Sequence, residues 1–194
     1  MAIFFSSDSH LGHRNIITYC ERPFKTITEM DYELIQRWND VVEPSDTVYH
    51  LGDFTLQDDA SQYFRQLNGY IHVLYNPWHH DKRWIKARMD TSVNTRYVSK
   101  SGHPIVARDP MAVLELDRTR KCPSIVLCHY PLARWDRQHY GAWHLYGHVH
   151  GRYQGEGYCY DVGVDNNDFY PVSLERIREI MVQKGWYEGW KQYG

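Results

Sequence analysis

No stretch of this 194-residue chain approaches the ~18 consecutive apolar residues of a membrane-crossing helix. Nor does a positively charged leader with a long apolar core precede Phe4, so the sequence carries no secretory pattern and the expected setting is the cytoplasm, with no membrane partner. Cysteine is scarce: Cys20, Cys122, Cys128 and Cys159 show no Cys-x-x-Cys spacing, which excludes a zinc ribbon or a dithiol redox pair. The net charge of −2 lacks the broad basic field of general nucleic-acid binders, leaving nucleic acid a possible but disfavoured partner. Repeats, low-complexity tracts and linkers are missing too. A chain of this length can bury one good core, and a single domain over residues 1–194 is expected.

Aromatic side chains are plentiful, at 15% of residues, and their commonest use is filling cores and half-buried surfaces. Basic residues cluster at Lys82, Arg83, Lys86 and Arg88, and again at Arg118, Arg120 and Lys121; each cluster reads first as a solvated face, although the former follows a chemically interesting segment and could meet a substrate phosphate.

The informative pattern is a set of short apolar runs that each lead into a metal-ligand side chain. Ile3-Phe4-Phe5 leads to Asp8 and His10, Val48-Tyr49-His50-Leu51 to Asp53, Ile71-His72-Val73-Leu74 to Asn76, and Ile125-Val126-Leu127-Cys128 to His129. A last run leads to His148 and His150 in Gly147-His148-Val149-His150. Runs of this length and β-branched content are buried strands, and in layered α/β proteins such donors converge beyond the strands' carboxyl ends. Taken singly, Asp8-Ser9-His10 is a turn or surface pair, Gly52-Asp53 a strand-ending turn and His129 a bonded core histidine. Seven donors overfill one catalytic zinc, whereas two divalent ions about 3.5–4 Å apart would use all of them, with Asp53 as the bridge. With only Asp8 and Asp53 as carboxylates, such a centre stays cationic and attracts phosphate oxygens.

In order along the chain, Asp8-Ser9-His10, Gly52-Asp53, the segment Tyr75-Asn76-Pro77-Trp78-His79-His80-Asp81, Cys128-His129 and Gly147-His148-Val149-His150 resemble the motifs of the calcineurin-like metallophosphoesterase superfamily. The resemblance runs from residue 3 to about residue 175. It implies an α/β fold, a four-layer sandwich of two central mixed β-sheets flanked by helices, with the metals at the C-terminal ends of strands. It also implies one metal site from Asp8, His10, Asp53 and His150, and a second from Asp53, Asn76, His129 and His148. Donor chemistry suits Mn, Fe, Zn or Ni alike.

The third motif departs from the superfamily's Gly-Asn-His-Asp. Counting from the strand favours Asn76 as the ligand, with an insertion before His80 and Asp81. An ungapped reading makes His79 the ligand, and a third puts Pro77 in place of the catalytic histidine. The expected reaction is hydrolysis of a phosphomonoester or phosphodiester, a small-molecule or nucleotide ester, by metal-activated hydroxide. His80 or His79, oriented by Asp81, would protonate the leaving oxygen. His13 and Arg14 follow the first ligands and are candidate substrate contacts, although both could simply open a helix or loop surface. His139 and His144 are read as packing or surface residues. Two alternatives stand beside the hydrolase: a non-catalytic scaffold with the same fold, and a metal-dependent nuclease acting in a complex.

The rest reads as scaffold. Thr28-Glu29-Met30-Asp31 predicts a capped helix carrying Met30, Leu34, Trp38 and Val41 or Val42, and Asp58 to Leu67 predicts another that stops at Asn68-Gly69. Alternating strand and helix is the mark of a layered α/β fold. Asn94 to Ser99 and Ile105 to Leu116 read as extra strands, as does Tyr158 to Val162. Pro171-Val172-Ser173 leads into a helix with Leu174, Ile177 and Ile180 on one face, and Gly185 to Gly194 reads as a tail or an oligomer contact.

Overall fold

The computed structural model describes residues 1–76, 78–85, 94–115 and 124–186. Pro77, Lys86, Arg88, Leu116, Arg118, Arg120, Lys121, Cys122 and residues 187–194 lie outside the described residues.

The chain is mixed α/β with two mixed sheets. In the first, strands β1 (Ile3–Ser6), β2 (Thr47–His50), β3 (Tyr70–Leu74) and β5 (Pro104–Arg108) run parallel. β10 (Val172–Ser173) and β4 (Asn94–Val98) close its two edges antiparallel, in the order β10-β1-β2-β3-β5-β4. The second has the order β6-β7-β8-β9, formed by Met111–Leu114, Ile125–Cys128, Trp143–Tyr146 and Cys159–Asp161, with β7, β8 and β9 parallel. The run expected from Ile105 onward is therefore two strands in different sheets. The break falls at Asp109-Pro110, where proline removes a ladder donor and fixes φ.

Alternation along the strands divides the core. Phe4, Val48, Ile71 and Val73 face helix α2 (Ile27–Val41), which buries Met30, Leu34, Ile35 and Trp38 against them. Their neighbours Phe5, Leu51 and Leu74 turn the other way and meet Ile125, Leu127, Trp143 and Leu145 of the second sheet and Ile177 and Met181 of helix α4 (Leu174–Gln183). On the second sheet's other face, Val126 and Tyr146 pack with Trp135 and Ala142, which belong to a loop rather than a helix.

Several boundaries differ from expectation. Helix α2 starts two residues early, because Thr26 accepts the Glu29 N–H at 3.1 Å and Glu29 reaches back to the Lys25 N–H at 2.8 Å, a reciprocal cap centred on Thr26, not Thr28. The helix expected over 58–67 shrinks to α3 (Ser61–Phe64); beyond it, Asn68 hydrogen-bonds Asn39 and Val42 at the end of α2 and Gly69 turns at φ +97°. The supposed tail begins in the core: Trp186 is buried, edge-on to Trp143 with ring centres 5.1 Å apart. Among the described residues no helix is long and apolar enough to cross a membrane.

Phe5 is fully buried between the sheets, so Phe5→Ala should cost about 3–5 kcal/mol by losing transfer energy and leaving a cavity. Tyr32→Ala, on the exposed face of α2, should stay within about 0.5 kcal/mol. Urea unfolding of the two variants checks the contrast.

Candidate metal centre

β1, β2 and β3 are parallel, so their carboxyl ends share one edge, and the segments beyond those ends zip together. The Asp8 N–H donates to the Gly52 carbonyl at 3.0 Å, His10 N–H to Asp53 O at 3.0 Å, and Leu11 N–H to Phe54 O at 2.9 Å. This pairing brings Asp8, His10 and Asp53 side by side. In the second sheet the Gly147 N–H donates to His129 O at 2.9 Å, and the His148 N–H crosses to Asp8 Oδ2 at 2.8 Å.

The turns that aim these side chains are strained. Asp8, His10, Asp53, His148 and His150 have φ of 59°, 51°, 55°, 68° and 49°, in the left-handed region that costs a non-glycine residue roughly 1 kcal/mol or more. Five of the nine described non-glycine residues with positive φ are thus expected ligands. The motif glycines follow from crowding. A side chain at Gly52 would put Cβ 2.6 Å from His79 Nδ1, and one at Gly147 would collide with the Asp8 carboxylate and Ser7.

Among the described residues, donor atoms gather in four groups, each within 4.8 Å: Asp8, His10 and His150; Asp53, His79 and His129; His10, Asp53 and His80; and Cys20, His150 and Asp165. Asp53 links the first two, its Oδ2 lying 3.7 Å from His10 Nε2 and 3.5 Å from His129 Nε2. Asp8 Oδ1 is 3.9 Å from His10 Nε2 and 4.0 Å from the Nε2 atoms of His129 and His150. Such spacings are too long for hydrogen bonds. They approach those of donors sharing one ion, which at about 2.1 Å from it would sit roughly 3–3.5 Å apart. Among the described residues, Asp8 Oδ1 and both ring nitrogens of His10, His79 and His129 are buried without a hydrogen-bond partner, a costly state that a cation would relieve.

Protonation fits the same chemistry. Burial first, and the Asp53 charge after the opposing pull of His150, raise the Asp8 carboxyl to about 7. Burial holds the imidazoles of His10 and His79 below their ordinary value and takes His129 down to about 2, so these rings are neutral and able to coordinate.

In the third motif His79 is the buried member beside His129, ring centres 4.1 Å apart, whereas the Asn76 carboxamide oxygen accepts the Trp78 N–H at 3.0 Å. His80 is exposed; its N–H donates to Asp53 Oδ1 at 3.2 Å and its ring lies 5.6 Å from that of His10 and 6.2 Å from that of His13. His148 stands beside His129, ring centres 5.1 Å apart. Among the described residues Asp81 has no hydrogen bond to a histidine: its carboxylate accepts from the N–H groups of Phe54 and Thr55 at 3.1 and 3.2 Å and from Trp84 Nε1 at 2.8 Å, fixing the segment after Asp53. Burial, then the charge of Asp53, raises it to about 7. His13 joins the cluster through His10, ring centres 5.6 Å apart. Arg14 opens helix α1 (Arg14–Tyr19), exposed and in no ion pair among the described residues. Lys82 and Arg83 are also exposed, Arg83 donating to Leu56 O at 3.3 Å.

Supporting residues escaped the sequence reading. His50 Nε2 meets Ser9 Oγ at 2.9 Å and its Nδ1 the Gly52 N–H at 3.3 Å, and burial lowers it to about 3. His144, expected as a packing or surface residue, is buried, with Nδ1 at Val126 O and Nε2 accepting the Leu132 N–H. Arg22 and Asp165 form a buried, two-pronged ion pair at 2.7 and 2.8 Å, and Asp165 Oδ2 lies 2.6 Å from His150 Nδ1. For Arg22 and Asp165 no motif spacing signals the role, since 143 residues separate them.

No protein-family model matches the chain. It is similar to the uncharacterized protein MJ1445 of Methanocaldococcus jannaschii, at 28% identity over 193 residues, 94% of this chain and 92% of that protein. In fold it is similar to the protein of unknown function AQ665 from Aquifex aeolicus, with a TM-score of 0.62 and 24% identity over 92% of this chain and 98% of that one. Neither name carries an activity, so the functional reading rests on the site's geometry.

Proposed function

We propose that the chain is a dinuclear-metal phosphoesterase of the calcineurin-like type, hydrolysing a phosphomonoester or phosphodiester. The observation that carries this reading is the cluster of buried, unpartnered oxygen and nitrogen donors spaced 3.5–4.0 Å apart around Asp8 and Asp53. In it, Asp8, His10 and His150 would hold one ion and His79 and His129 the other, with His148 beside them and Asp53 next to both groups. The ions supply charge for the phosphoryl oxygens and lower the pKa of a water to near neutrality. The outer helices and two sheets are read as the superfamily's four-layer sandwich, and the cytoplasm, which keeps the free thiols of Cys20, Cys128 and Cys159 reduced, is the proposed setting.

The chain's own residues divide the remaining work. His80, exposed at the rim and anchored through its N–H to Asp53, is the proton donor to the leaving oxygen. Asp81 holds the Phe54–Thr55 backbone and thereby the strained Asp53 turn. His13, partly buried and lowered by burial and by His80, is neutral and offers a ring nitrogen towards the substrate side of His10.

Metal analysis with an assay on p-nitrophenyl phosphate and bis-p-nitrophenyl phosphate in Mn tests the whole reading. Two ions per chain and hydrolysis of at least one ester are expected, with Asp53→Ala abolishing both. A wild-type protein that takes up no metal would return the chain to the scaffold class.

The third motif is separable: His79→Ala should lose metal and turnover together, and Asn76→Ala should keep its metal content. For His80→Gln, an alkyl phosphate needing a protonated leaving group should lose about 10²-fold or more in kcat, and a p-nitrophenyl ester much less. Equal losses on both esters would remove His80 from the acid role.

Asp8 must shed its proton to become a ligand. Its raised value of about 7 means that Mn affinity, followed by calorimetry, rises by about tenfold between pH 6 and pH 8 from this group alone, and levels above it. His10, His79 and His129, already neutral, add nothing to that slope, whereas His150 steepens it: burial opposes its charge, but the bond to Asp165 and the charges of Asp8 and Asp165 raise it.

A further inference from the structure

We propose that Arg22 and Asp165 are positioning residues for one half of the centre, the Asp8–His10–His150 half, so that its loading depends on them and that of the Asp53–His79–His129 half does not. The inference rests on the two-ion reading above.

Arg22 lies in the loop between α1 and α2 and is only 4% exposed. Burying a guanidinium is costly unless every donor is used in good geometry. Here the fork is filled: Nε and one terminal nitrogen bind both oxygens of Asp165, and the terminal nitrogens also donate to Asp8 O at 2.7 Å and Ser9 O at 2.9 Å. The two carbonyls belong to the turn that aims Asp8 and His10, both held at positive φ. Asp165 carries the grip to the other sheet by taking His150 Nδ1 at 2.6 Å, on a residue that is itself at φ 49°. One cation thus ties together the strained turns of all three donors in this half.

The second consequence is chemical. A carboxylate at Nδ1 places the ring's proton there and leaves Nε2, 4.0 Å from Asp8 Oδ1, with its lone pair free for an ion. Among the described residues no carboxylate hydrogen-bonds a ring nitrogen of His79 or His129 across the centre. Both nitrogens of His79 and of His129 lack a hydrogen-bond partner, and none of Arg22's hydrogen bonds reaches Asp53, His79 or His129. The asymmetry predicts an asymmetric defect.

Asp165→Asn keeps the shape while removing the charge, and its amide can also turn an N–H to Nδ1 and select the wrong tautomer. Mn binding followed by calorimetry, with metal content after dialysis, should show two ions on the wild type. On the variant, one of the two sites should weaken by about 10–100-fold and the other stay unchanged. Arg22→Lys, which cannot span Asp165 and two carbonyls at once, should weaken the same site, and decides the matter if Asp165→Asn does not fold. Two unaltered sites, or two sites weakened equally, would overturn the proposal and leave the pair a structural brace. A wild type that binds fewer than two ions would instead overturn the dinuclear reading.

Discussion

Asp8 is fully buried with one carboxylate oxygen within 4.0 Å of three imidazole nitrogens and bonded to none of them. A protein interior tolerates such an arrangement only if the carboxyl takes a proton or a cation sits among the donors. The local architecture follows from that constraint. Left-handed backbone at Asp8, His10, Asp53, His148 and His150 sets the direction of those side chains at the sheet edge. Gly52 and Gly147 stand where any side chain would occupy the space those donors need.

Strain of this kind persists only where surrounding bonds over-determine it. Backbone pairing continues past β1 and β2 through Leu11, and Asp81 grips Phe54 and Thr55. His50 bridges Ser9 to Gly52. Asp161 takes the N–H groups of Gly151 and Gly163 at 2.9 and 2.8 Å, which fences the last histidine turn, and Arg22 with Asp165 ties the two sheets' turns together. Each support is a polar side chain with most of its bonding capacity used, the condition under which a buried network stiffens a structure rather than weakening it. The apolar cores below, on either side of Phe4 and Phe5, provide the platform, and the polar layer sets angles.

Much of this was legible in the sequence because it depends on short-range pattern. Alternating apolar runs located β1, β2, β3 and β7 to within a residue or two, and the Asp and His side chains that gather at the sheet edge stand just after those runs. Boundaries slipped where two local signals competed, as at Thr26 and Thr28, or where a proline cut one run into strands of different sheets, as at Asp109-Pro110. Trp186 is held in the core by its ring contact with Trp143 and by its backbone N–H to Met181 O at 2.9 Å, tertiary contacts that a segment without period does not announce.

What the sequence by itself determined is the donor inventory and its place beyond the strands, since residue type and periodicity are local properties. Only the tertiary structure decided which donors meet. His79 lies against His129, while the Asn76 carboxamide oxygen takes the Trp78 N–H. Asp81 became a brace for Phe54 and Thr55, and Arg22 found Asp165 across 143 residues. Those outcomes depend on how two sheets approach and which hydrogen bonds are satisfied first, and linear spacing carries no record of either.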